Sequence, residues 1–395
     1  MRVTIIGGGP AGLYAAILLK RTRPETQIAV IERNERGSTF GFGVVFSARS
    51  LSFLRGDDPD TADLIEPHLR QWSDITVVHR KETITIDGVG FAAIGRLKLL
   101  KLLQDCAVGL GVDLEFQTEA DDLKDYLESD LIIGADGVNS MVRQSTSAFD
   151  ETITTLNNRF AWFGAETEFR TLTQTFIETP FGLMNAHHYC YDEGLSTFIV
   201  EMSPQTFERS RFGSLTEPYY RAQCEAFFAE TLGGAKLIAN NSVFRQFPEL
   251  ECAKWYVGNK VLVGDALHTA HFSIGSGTRL AFEDCIFLVR ALKAHDFNID
   301  VALPAYQKAR QPILQKIVAA SRRSAQWYEN FEDHMALEPW PFALSYIRRA
   351  GRIDADRLRK LAPSFSTEAE ARGLALESGR DAGSGFSGDV EEETI

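Results

Sequence analysis

The sequence lacks the features that define several protein classes. Its 395 residues include only five cysteines, scattered and without a Cys-x-x-Cys pair, which argues against a disulfide framework or a cysteine metal site. We therefore expect free thiols and no metal. No uninterrupted apolar run reaches the roughly 20 residues that a membrane-spanning helix needs. Glycines also interrupt the apolar N-terminus, so we do not expect a signal peptide.

Positive charge is also scarce. Lysine and arginine number 41 against 54 aspartate and glutamate residues, which gives a formal net charge of −13. This excess of acids argues against nucleic acid as the main partner. Acids are concentrated after residue 362, where large apolar side chains become rare, and this composition predicts a disordered acidic tail over residues 363–395.

What the chain does contain, at its start, is a nucleotide-binding pattern. Residues 2–6 predict a buried strand, which runs into Gly7-x-Gly9-x-x-Gly12 and a helical apolar run. In this pattern Gly7 permits a tight turn, Gly9 lets the backbone approach a pyrophosphate, and Gly12 lets helix and strand pack closely. A second predicted strand ends at Glu32, where a carboxylate can hydrogen-bond a ribose hydroxyl. The alternative is a glycine-rich turn that binds no nucleotide.

Two more glycine–aspartate motifs follow far along the chain. Gly134-Ala135-Asp136-Gly137 comes directly after the apolar run 131–133, and Gly264-Asp265-Ala266 comes directly after a predicted strand at residues 260–263. Each motif alone is a weak signal. Together, in this order, the three motifs predict one long ligand that is held at three points, as FAD is held.

The middle of the chain has a different pattern from its two flanks. Aromatic, alternating segments predict a mostly antiparallel sheet, and they cover residues 159–167, 173–178, 182–191 and 196–201. The predicted fold class is α/β, with a Rossmann-like FAD-binding domain, an inserted mostly antiparallel β-sheet substrate domain and C-terminal helices. The predicted domains are residues 1–150 with 257–300 for FAD, 151–256 with contributions from about 45–95 for substrate, 301–362 for the helices, and 363–395 for the tail.

The motifs and their surroundings resemble the single-component FAD aromatic hydroxylases that have the p-hydroxybenzoate hydroxylase fold, over about residues 1–335. Residues 134–143 are similar to the family's DG fingerprint, and residues 264–277 are similar to its GD fingerprint. More narrowly, residues 41–47, 196–201 and 268–277 resemble salicylyl-CoA 5-hydroxylases, the flavin half of aminobenzoyl-CoA monooxygenase/reductases and the violacein-pathway hydroxylase. The chain departs from the wider family at two positions, with Phe272 for a common proline and Arg279 for a common asparagine; these departures bear on substrate class rather than FAD binding.

The resemblance implies an NAD(P)H-dependent flavoprotein monooxygenase. In such enzymes NADH or NADPH binds transiently and reduces the flavin, and O₂ then adds at C4a to give a hydroperoxide whose distal oxygen attacks an electron-rich aromatic carbon. The preferred substrate is an aryl-CoA thioester such as salicylyl-CoA. Its phosphates would need basic residues, for which Arg209, Arg211, Arg322 and Arg323 are candidates, although the preferred interpretation of each is a solvated surface arginine.

Other functions stay open on the sequence alone. One is a tailoring hydroxylase of an indolic or aromatic natural-product intermediate, and another is a non-oxygenating FAD oxidase or reductase. A flavin-dependent halogenase would carry a Trp-x-Trp-x-Ile-Pro signature, which this chain lacks. We expect a cytoplasmic monomer or homodimer whose partners are a small aromatic substrate and O₂, without a membrane or nucleic acid partner.

Site residues follow from the motifs and from strand alternation. We expect cofactor contacts from Gly7, Gly9, Pro10, Ala11, Gly12, Glu32, Arg33, Arg96, Asp136, Asp265, Gly275 and Gly277. We expect a substrate pocket lined by Phe42, Val45, Trp162, Phe181 and Phe272. The candidates for catalysis are His271 and His187, with Tyr189 behind them, and we expect one of the two histidines to polarise the substrate's donor group.

Several of these assignments have structural alternatives. Alternation along one strand puts Asn185, His187 and Tyr189 on one face of the sheet and His188 on the other. Each histidine or aromatic residue is otherwise interpreted as core packing. Asp265 is otherwise a helix N-cap, and Arg96 is otherwise a solvated residue at a helix start. We expect Asp136 to help position the nucleotide or a nearby arginine such as Arg143, and it is otherwise an ordinary turn aspartate.

Overall fold

The structure, a computed structural model, describes residues 1–376, apart from the side chains of residues 48 and 49. Its strands are β1 (Arg2–Ile6), β2 (Gln27–Glu32), β3 (Gly43–Ser47), β4 (Arg70–Trp72), β5 (Ile75–His79), β6 (Glu82–Ile86), β7 (Phe91–Gly95), β8 (Asp113–Phe116), β9 (Leu131–Gly134), β10 (Glu151–Thr155), β11 (Arg159–Ala165), β12 (Leu172–Thr179), β13 (Gly182–Asp192), β14 (Leu195–Met202), β15 (Leu237–Ile238), β16 (Pro248–Cys252), β17 (Tyr256–Val257) and β18 (Lys260–Leu262).

The helices concentrate in the second half of the chain. They are α1 (Pro10–Thr22), α2 (Ala48–Asp57), α3 (Pro59–Ile65), α4 (Arg96–Gly109), α5 (Met141–Gln144), α6 (Pro204–Ser210), α7 (Glu217–Phe227), α8 (Ala229–Leu232), α9 (Gly277–Ala294), α10 (Ile299–Glu329), α11 (Phe331–His334), α12 (Pro339–Arg348), α13 (Ala355–Leu361) and α14 (Pro363–Ala371). Within residues 1–376, none of these helices combines the length and the apolar character that crossing a lipid bilayer requires.

A six-stranded sheet organises the N-terminal part of the fold, in the order β17-β18-β9-β1-β2-β8. Strand β1 lies between β9 and β2 and is parallel to both, and β18 and β8 extend the sheet in the same direction. Helices cover the sheet, so Val3, Ile5 and Ile133 are fully buried. The carboxyl ends of β1, β9 and β18 therefore meet at one edge, and each of these strands leads into one of the three motifs.

A second, seven-stranded sheet has the order β15-β11-β14-β13-β12-β5-β6, with every pair antiparallel except β12 and β5. Both of its faces are buried. On one face Met184 and Ala186 of β13 pack in a cluster with residues of α7, and on the other Leu172 and Phe176 of β12 pack against residues of α10 and α12. The predicted α/β class with an inserted, mostly antiparallel sheet is confirmed.

Two segments differ from the sequence-based expectation. The glycine-spaced aromatic stretch at residues 40–46 predicts a loop, but residues 43–47 form strand β3, which pairs with β7 so that Val44 lies opposite Ile94. Their β-branched and aromatic side chains favour a strand once a partner strand is present. The C-terminal sequence predicts a long helix from about Pro304 to Phe331, whereas helix α10 begins at Ile299 and ends at Glu329. Pro304 lies in its second turn, where the missing N–H costs one hydrogen bond without ending the helix.

The start of the predicted disordered tail is ordered, so that prediction is wrong for residues 363–376. Helix α14 begins there, and the amides of Ser364 and Phe365 donate to the carboxylate of Asp87 at 3.0 and 2.8 Å. The Phe365 ring is buried and stacks on Trp340 with centroids 5.6 Å apart. A few apolar side chains at helical spacing find cover on the sheet, although the average composition of the tail is polar. The remainder of the predicted tail, residues 377–395, lies outside the described residues.

We expect Phe365→Ala to lower the free energy of unfolding by about 3 kcal/mol, because it removes a buried aromatic ring from the contact between α14 and α12. Urea denaturation followed by tryptophan fluorescence measures this loss. Thr367→Ala, on the exposed side of the same helix, is the control and should change the free energy by less than about 0.5 kcal/mol. Equal stability of the two variants would show that α14 contributes nothing to the fold.

Candidate functional site

The first and second motifs touch through their backbones. Gly7 has φ +107°, a conformation that favours glycine, and a Cβ on it would lie 2.4 Å from the carbonyl oxygen of Ala135. The third motif reaches the same place, because a Cβ on Gly264 would lie 3.1 Å from the Cβ of Ala11. Three loops that are far apart in sequence therefore meet at one edge of the six-stranded sheet.

The other two glycines of the first motif have the different roles that the sequence predicts. A Cβ on Gly12 would lie 2.0 Å from the carbonyl oxygen of Gly7, so helix α1 packs on the loop only because that side chain is absent. A Cβ on Gly9 would meet nothing within 4 Å. Gly9 directly precedes α1, whose first amides have no helical partner. Open space at a helix N-terminus suits a phosphate group.

Glu32 ties the glycine loop to the end of β2. Its Oε2 accepts a hydrogen bond from the Gly8 amide at 2.8 Å, and its Oε1 accepts one from the Asn34 amide at 2.8 Å. Oε1 also accepts a hydrogen bond from the Asn34 side-chain amide at 2.6 Å, so only Oε2 keeps a second lone pair, and contact with a ribose hydroxyl stays a prediction. Arg33 is exposed and does not line the large cavity that begins at the glycine loop, so the structure gives no support to its predicted role.

A cavity of about 670 Å³ runs from the glycine loop to the face of β13. Twelve of the predicted residues line it, namely Gly9, Pro10, Ala11, Val45, Arg96, Trp162, His187, Tyr189, Asp265, Phe272, Gly275 and Gly277. The structure also adds wall residues that the sequence analysis missed, namely Phe160, Ile199, Arg245 and Phe247. Alternation along β11 and β14 could have identified Phe160 and Ile199, whereas Arg245 and Phe247 lie in an irregular segment without such a signal.

Arg96 and Asp265 bring opposite charges to this cavity. Arg96 Nε donates to the Thr39 hydroxyl at 3.0 Å. Burial lowers the pKa of Arg96, and the nearby Asp265 carboxylate opposes that shift. Asp265 lines the cavity, but the surrounding protein excludes water and so raises the pKa of its carboxyl group. His268 and Arg96 oppose this shift without cancelling it. Helix α9 begins only at Gly277, so Asp265 is not the N-cap that the sequence left as an alternative.

A buried network of charged side chains, which was not predicted from the sequence, fixes the position of the third motif. Asp284 Oδ2 accepts hydrogen bonds from the Gly264 amide at 3.0 Å and from His268 Nε2 at 2.7 Å, and Oδ1 accepts one from Arg310 Nε at 3.0 Å. Burial acts to raise the pKa of Asp284, but His268 and Arg310 hold it below its usual value. The only signal in the sequence is a charged pair, Glu283-Asp284, within an otherwise apolar helical face.

Asp136 acts within its own turn. Its Oδ2 accepts a hydrogen bond from the amide of Met141 at 2.6 Å, at the start of α5. The prediction that it partners Arg143 is wrong, because the Arg143 guanidinium pairs with Glu151 and donates to the carbonyl oxygen of Ala266 at 2.9 Å. Arg143 is buried and so links the second motif to the third. Contact between Asp136 and a nucleotide stays a prediction.

His187 faces the cavity from β13, as alternation predicts. It is 3% exposed, and neither ring nitrogen has a hydrogen-bond partner among the described residues. Burial and the charge of Arg349 lower the pKa of His187 to about 3, so the imidazole is neutral near pH 7. His188 lies on the opposite face, where its Nε2 is 2.9 Å from the Thr175 hydroxyl. Tyr189 shares the face of His187, and its hydroxyl donates to the carbonyl oxygen of Gly43 at 2.9 Å.

The structure does not support the prediction that His271 acts in catalysis. Its side chain is buried behind Phe272, with ring centroids 4.1 Å apart, and it packs on Phe247 and Tyr328 without lining the cavity. Its backbone amide donates to the Ser321 hydroxyl at 2.8 Å, which turns this part of the loop toward α10. We therefore assign His271 a structural role.

Two predicted pocket residues lie elsewhere. Phe181, in the turn between β12 and β13, packs edge-on against Phe227 with ring centroids 5.9 Å apart and does not line the cavity. Phe181 precedes the first residue of β13, whereas His187 lies six residues farther along the chain. Phe42 packs on Gly164, where a Cβ would lie 2.6 Å from its ring, and its backbone faces α4. Both rings find apolar partners in the protein itself, which the sequence pattern does not reveal.

Comparison with known proteins assigns the chain to a family. The family described as FAD binding domain matches residues 99–321. The chain belongs to this family. Salicyloyl-CoA 5-hydroxylase from a Streptomyces species is 36% identical over 361 residues, which cover 89% of this chain and 70% of that protein. The 3-hydroxy-4-methyl-anthranilyl-[aryl-carrier protein] 5-monooxygenase of Streptosporangium sibiricum is 35% identical over 334 residues, covering 84% and 90% of the two chains.

Other relatives agree with this assignment. Protodeoxyviolaceinate monooxygenase of Chromobacterium violaceum is 31% identical over 363 residues, covering 88% of this chain and 94% of that protein. Among solved structures, the tetrameric form of 2-methyl-3-hydroxypyridine-5-carboxylic acid oxygenase matches with a TM-score of 0.65 at 20% identity, covering 93% and 97% of the chains, which shows a shared fold. The protein is an FAD-dependent aromatic monooxygenase.

The residues of the cavity fit FAD from its pyrophosphate to its flavin ring. The open space at Gly9 and the amides of α1 suit the pyrophosphate. The Asp265 carboxylate suits ribityl hydroxyl groups, and Arg96 supplies a cation nearby. Gly275 has φ +59°, and a Cβ on it would lie 2.7 Å from Val45 Cγ1. This close approach brings backbone amides, rather than side chains, to the place where the flavin's anionic edge would need donors.

We expect Gly9→Ala and Gly12→Ala to separate cofactor binding from folding. Alanine fits at Gly9, whose φ is −74°, so the apoprotein should keep its stability, while the new methyl group should raise the dissociation constant for FAD at least about tenfold. Alanine at Gly12 would clash with backbone, and we expect a loss of about 3 kcal/mol in the free energy of unfolding. Flavin fluorescence titration and urea denaturation of the apoprotein measure the two effects. Wild-type FAD affinity in Gly9→Ala would contradict the assignment.

Proposed function

We propose that this monooxygenase hydroxylates an electron-rich aromatic ring that is carried as an aryl-CoA thioester, with NADH or NADPH as the transient reductant. The observation that carries the proposal is His187, a neutral, buried imidazole without a partner on the aromatic wall of the cofactor cavity. The similarity to two enzymes whose names specify a salicyloyl-CoA or a carrier-bound anthranilyl substrate supports the thioester.

The wall opposite the glycine loop can hold a flat aromatic substrate and exclude water. It contains Phe160, Trp162 and Phe272, with the centroids of the Phe160 and Phe272 rings 4.9 Å apart and those of the Trp162 and Phe272 rings 6.4 Å apart. An apolar pocket with few polar groups positions a ring and fixes its orientation through those few groups. FAD, when bound, supplies the activation of O₂ and accepts hydride from the reductant.

His187 is the polar group that can fix this orientation. A neutral imidazole nitrogen accepts a hydrogen bond from the hydroxyl or amino group of the substrate. This bond draws the proton away from the donor group and increases electron density at the ortho and para carbons, where oxygen is added. Because the pKa of His187 is about 3, the nitrogen stays available as an acceptor from pH 5 to 8.

A second candidate is a tailoring hydroxylase for an indolic intermediate. The similarity to protodeoxyviolaceinate monooxygenase, which spans 94% of that protein, favours it. The same wall and the same histidine would then serve a larger fused ring, and no thioester arm would be involved.

Product mass spectrometry distinguishes the two candidates. We expect the FAD-loaded protein, supplied with NADH or NADPH, to add one oxygen to salicylyl-CoA or anthraniloyl-CoA, with matching consumption of reductant. Free salicylate and indolic compounds are the comparison substrates. Oxygen gain on an indolic compound alone would replace the thioester proposal with the tailoring function, and peroxide release without any oxygenated product would contradict both.

We expect His187→Gln to uncouple reductant use from hydroxylation. The substrate's donor group loses its acceptor, so the ratio of product formed to NAD(P)H consumed should fall about tenfold or more, with peroxide released instead. His188→Gln is the matched control, because its ring lies on the opposite face of β13, and it should keep the wild-type ratio. Because the pKa of His187 is about 3, the wild-type ratio of product to NAD(P)H should show no change near pH 6.5 that arises from titration of this histidine. Unchanged coupling in His187→Gln would contradict this role.

A further inference from the structure

A second, smaller cavity adjoins the cofactor cavity. It has a volume of about 110 Å³, and it shares Val45, His187, Gly275 and Ser276 with the larger cavity. An apolar cavity of about 150 Å³ is known to hold a benzene ring, so this space is on the scale of a small apolar group. Its other walls come from the sheet and from helix α10, and they include Ile75, Phe91, Leu172, Ile317 and Ala320. The imidazole of His187 is therefore accessible from two sides.

Arginines surround the smaller cavity on the side away from the glycine loop. Among the described residues that line it are Arg279, Arg349 and Arg352, and no aspartate or glutamate. Arg323, an exposed residue of α10, adds a fourth guanidinium at the rim, because its Nε donates to the carbonyl oxygen of Ala350 at 2.9 Å. We refer to these four residues as the arginine cluster.

Acids neutralise little of this positive charge. Arg279 pairs with Glu283 at 2.6 Å. The partners of the other three are backbone carbonyl oxygens: Arg352 donates to Lys316 at 2.7 Å, and Arg349 donates to Ser273 at 2.9 Å. Within residues 1–376, no ion pair joins Arg323, Arg349 or Arg352 to a carboxylate. In addition, Nε of Arg349 is buried without any hydrogen-bond partner.

Like charges held this close repel one another. Burial and the charges of Arg323, Arg279 and Arg357 lower the pKa of Arg352 to about 10. An anion would relieve the repulsion and use the donors that the carbonyl oxygens leave free. Guanidinium groups bind phosphate through paired hydrogen bonds, and the several oxygens of a phosphate can accept hydrogen bonds from more than one guanidinium group.

We propose that the arginine cluster binds the phosphate of a phosphopantetheine arm at the rim of the smaller cavity, and that only the thioester end of the arm enters this cavity toward His187. Phosphopantetheine is the chemical group that coenzyme A and acyl carrier proteins share. The inference rests on the proposed thioester substrate and extends it, because it assigns the end of the molecule that does not react. The acyl ring would lie at His187, where the two cavities meet.

A free aryl carboxylate is the competing occupant. It is a small anion with two oxygens, and a single guanidinium group such as Arg349 can bind both of them. It would not need Arg323, which lies at the exposed rim. Removing Arg323 and Arg352 together therefore separates the two occupants.

The test uses the full, FAD-loaded chain and the double variant Arg323→Ala/Arg352→Ala. Coenzyme A and 4′-phosphopantetheine are titrated into each protein by calorimetry, at low and at high salt. We expect the dissociation constants to rise about tenfold or more in the variant, and the salt dependence to weaken. Arg359→Ala is the control, because Arg359 is an exposed arginine of α13 that pairs with Glu370 and lines neither cavity. It should bind both probes as the wild type does.

Steady-state kinetics provide a second readout. For an aryl-CoA substrate we expect KM to rise by a similar factor in the double variant while kcat changes less than about twofold, because the phosphate contact is made equally in ground state and transition state. Arg323→Ala alone, which removes only the exposed member, should give a smaller effect in the same direction. Flavin absorbance confirms that each variant retains its cofactor.

Several outcomes would overturn the inference. One is that affinity and KM are unchanged in the double variant, and another is that the wild type binds neither probe. A third is that the double variant also binds free salicylate more weakly by the same factor, which would identify a carboxylate site. The binding experiment does not depend on turnover. If arginine-dependent binding is found but no thioester is hydroxylated, the proposed function fails and the binding site stands. Equal affinity for the two probes would point to a carrier protein as the source of the arm, and tighter binding of coenzyme A would point to the coenzyme itself.

Discussion

The contact between glycine backbones at the carboxyl edge of the parallel sheet is the constraint on which the site depends. Gly7 touches the loop after β9, and Gly12 touches Gly7, at distances that leave no room for a Cβ. Because β1, β9 and β18 are neighbours in one parallel sheet, the three loops must leave it at the same edge. The cavity is thus formed by backbone positions, which changes in surrounding side chains do not easily move.

Buried charged side chains also fix the positions of these loops. The third loop is held by Asp284, which is fully buried and would be costly in a protein interior without its partners. His268, Arg310 and the amide of Gly264 satisfy it, so the position of Asp265 depends on a helix, α9, and on the long helix α10 that packs against it. Arg143 performs a comparable function between the second and third loops. The cavity therefore depends on elements from the beginning, the middle and the end of the described chain.

The sequence contains enough information for the fold and for the cofactor half of the site, because both are set by periodic or glycine-dependent features. Strand alternation placed His187 and His188 on opposite faces correctly, since a period of two leaves no other arrangement. It could not place His271, which lies in an irregular loop where orientation is decided by packing on α10. The same limit explains why Phe181 and Phe42 were misplaced, because their rings pack on other parts of the protein and not in the cavity. It also explains why helix α14 was not predicted, because α14 is stabilised by the packing of Phe365 on Trp340.

The C-terminal helices contribute to both structure and specificity. Helices α10 and α12 cover one face of the seven-stranded sheet with aromatic side chains, among them Trp327 and Phe342. The same helices and the segment after them carry Arg323, Arg349 and Arg352 to the smaller cavity. The three motifs predicted to hold FAD resemble those of the wider family, whereas these positions lie outside them. Differences in substrate among related monooxygenases would then arise where the helices cover the sheet, because side chains can vary there without disturbing the contacts between glycines at the predicted cofactor site.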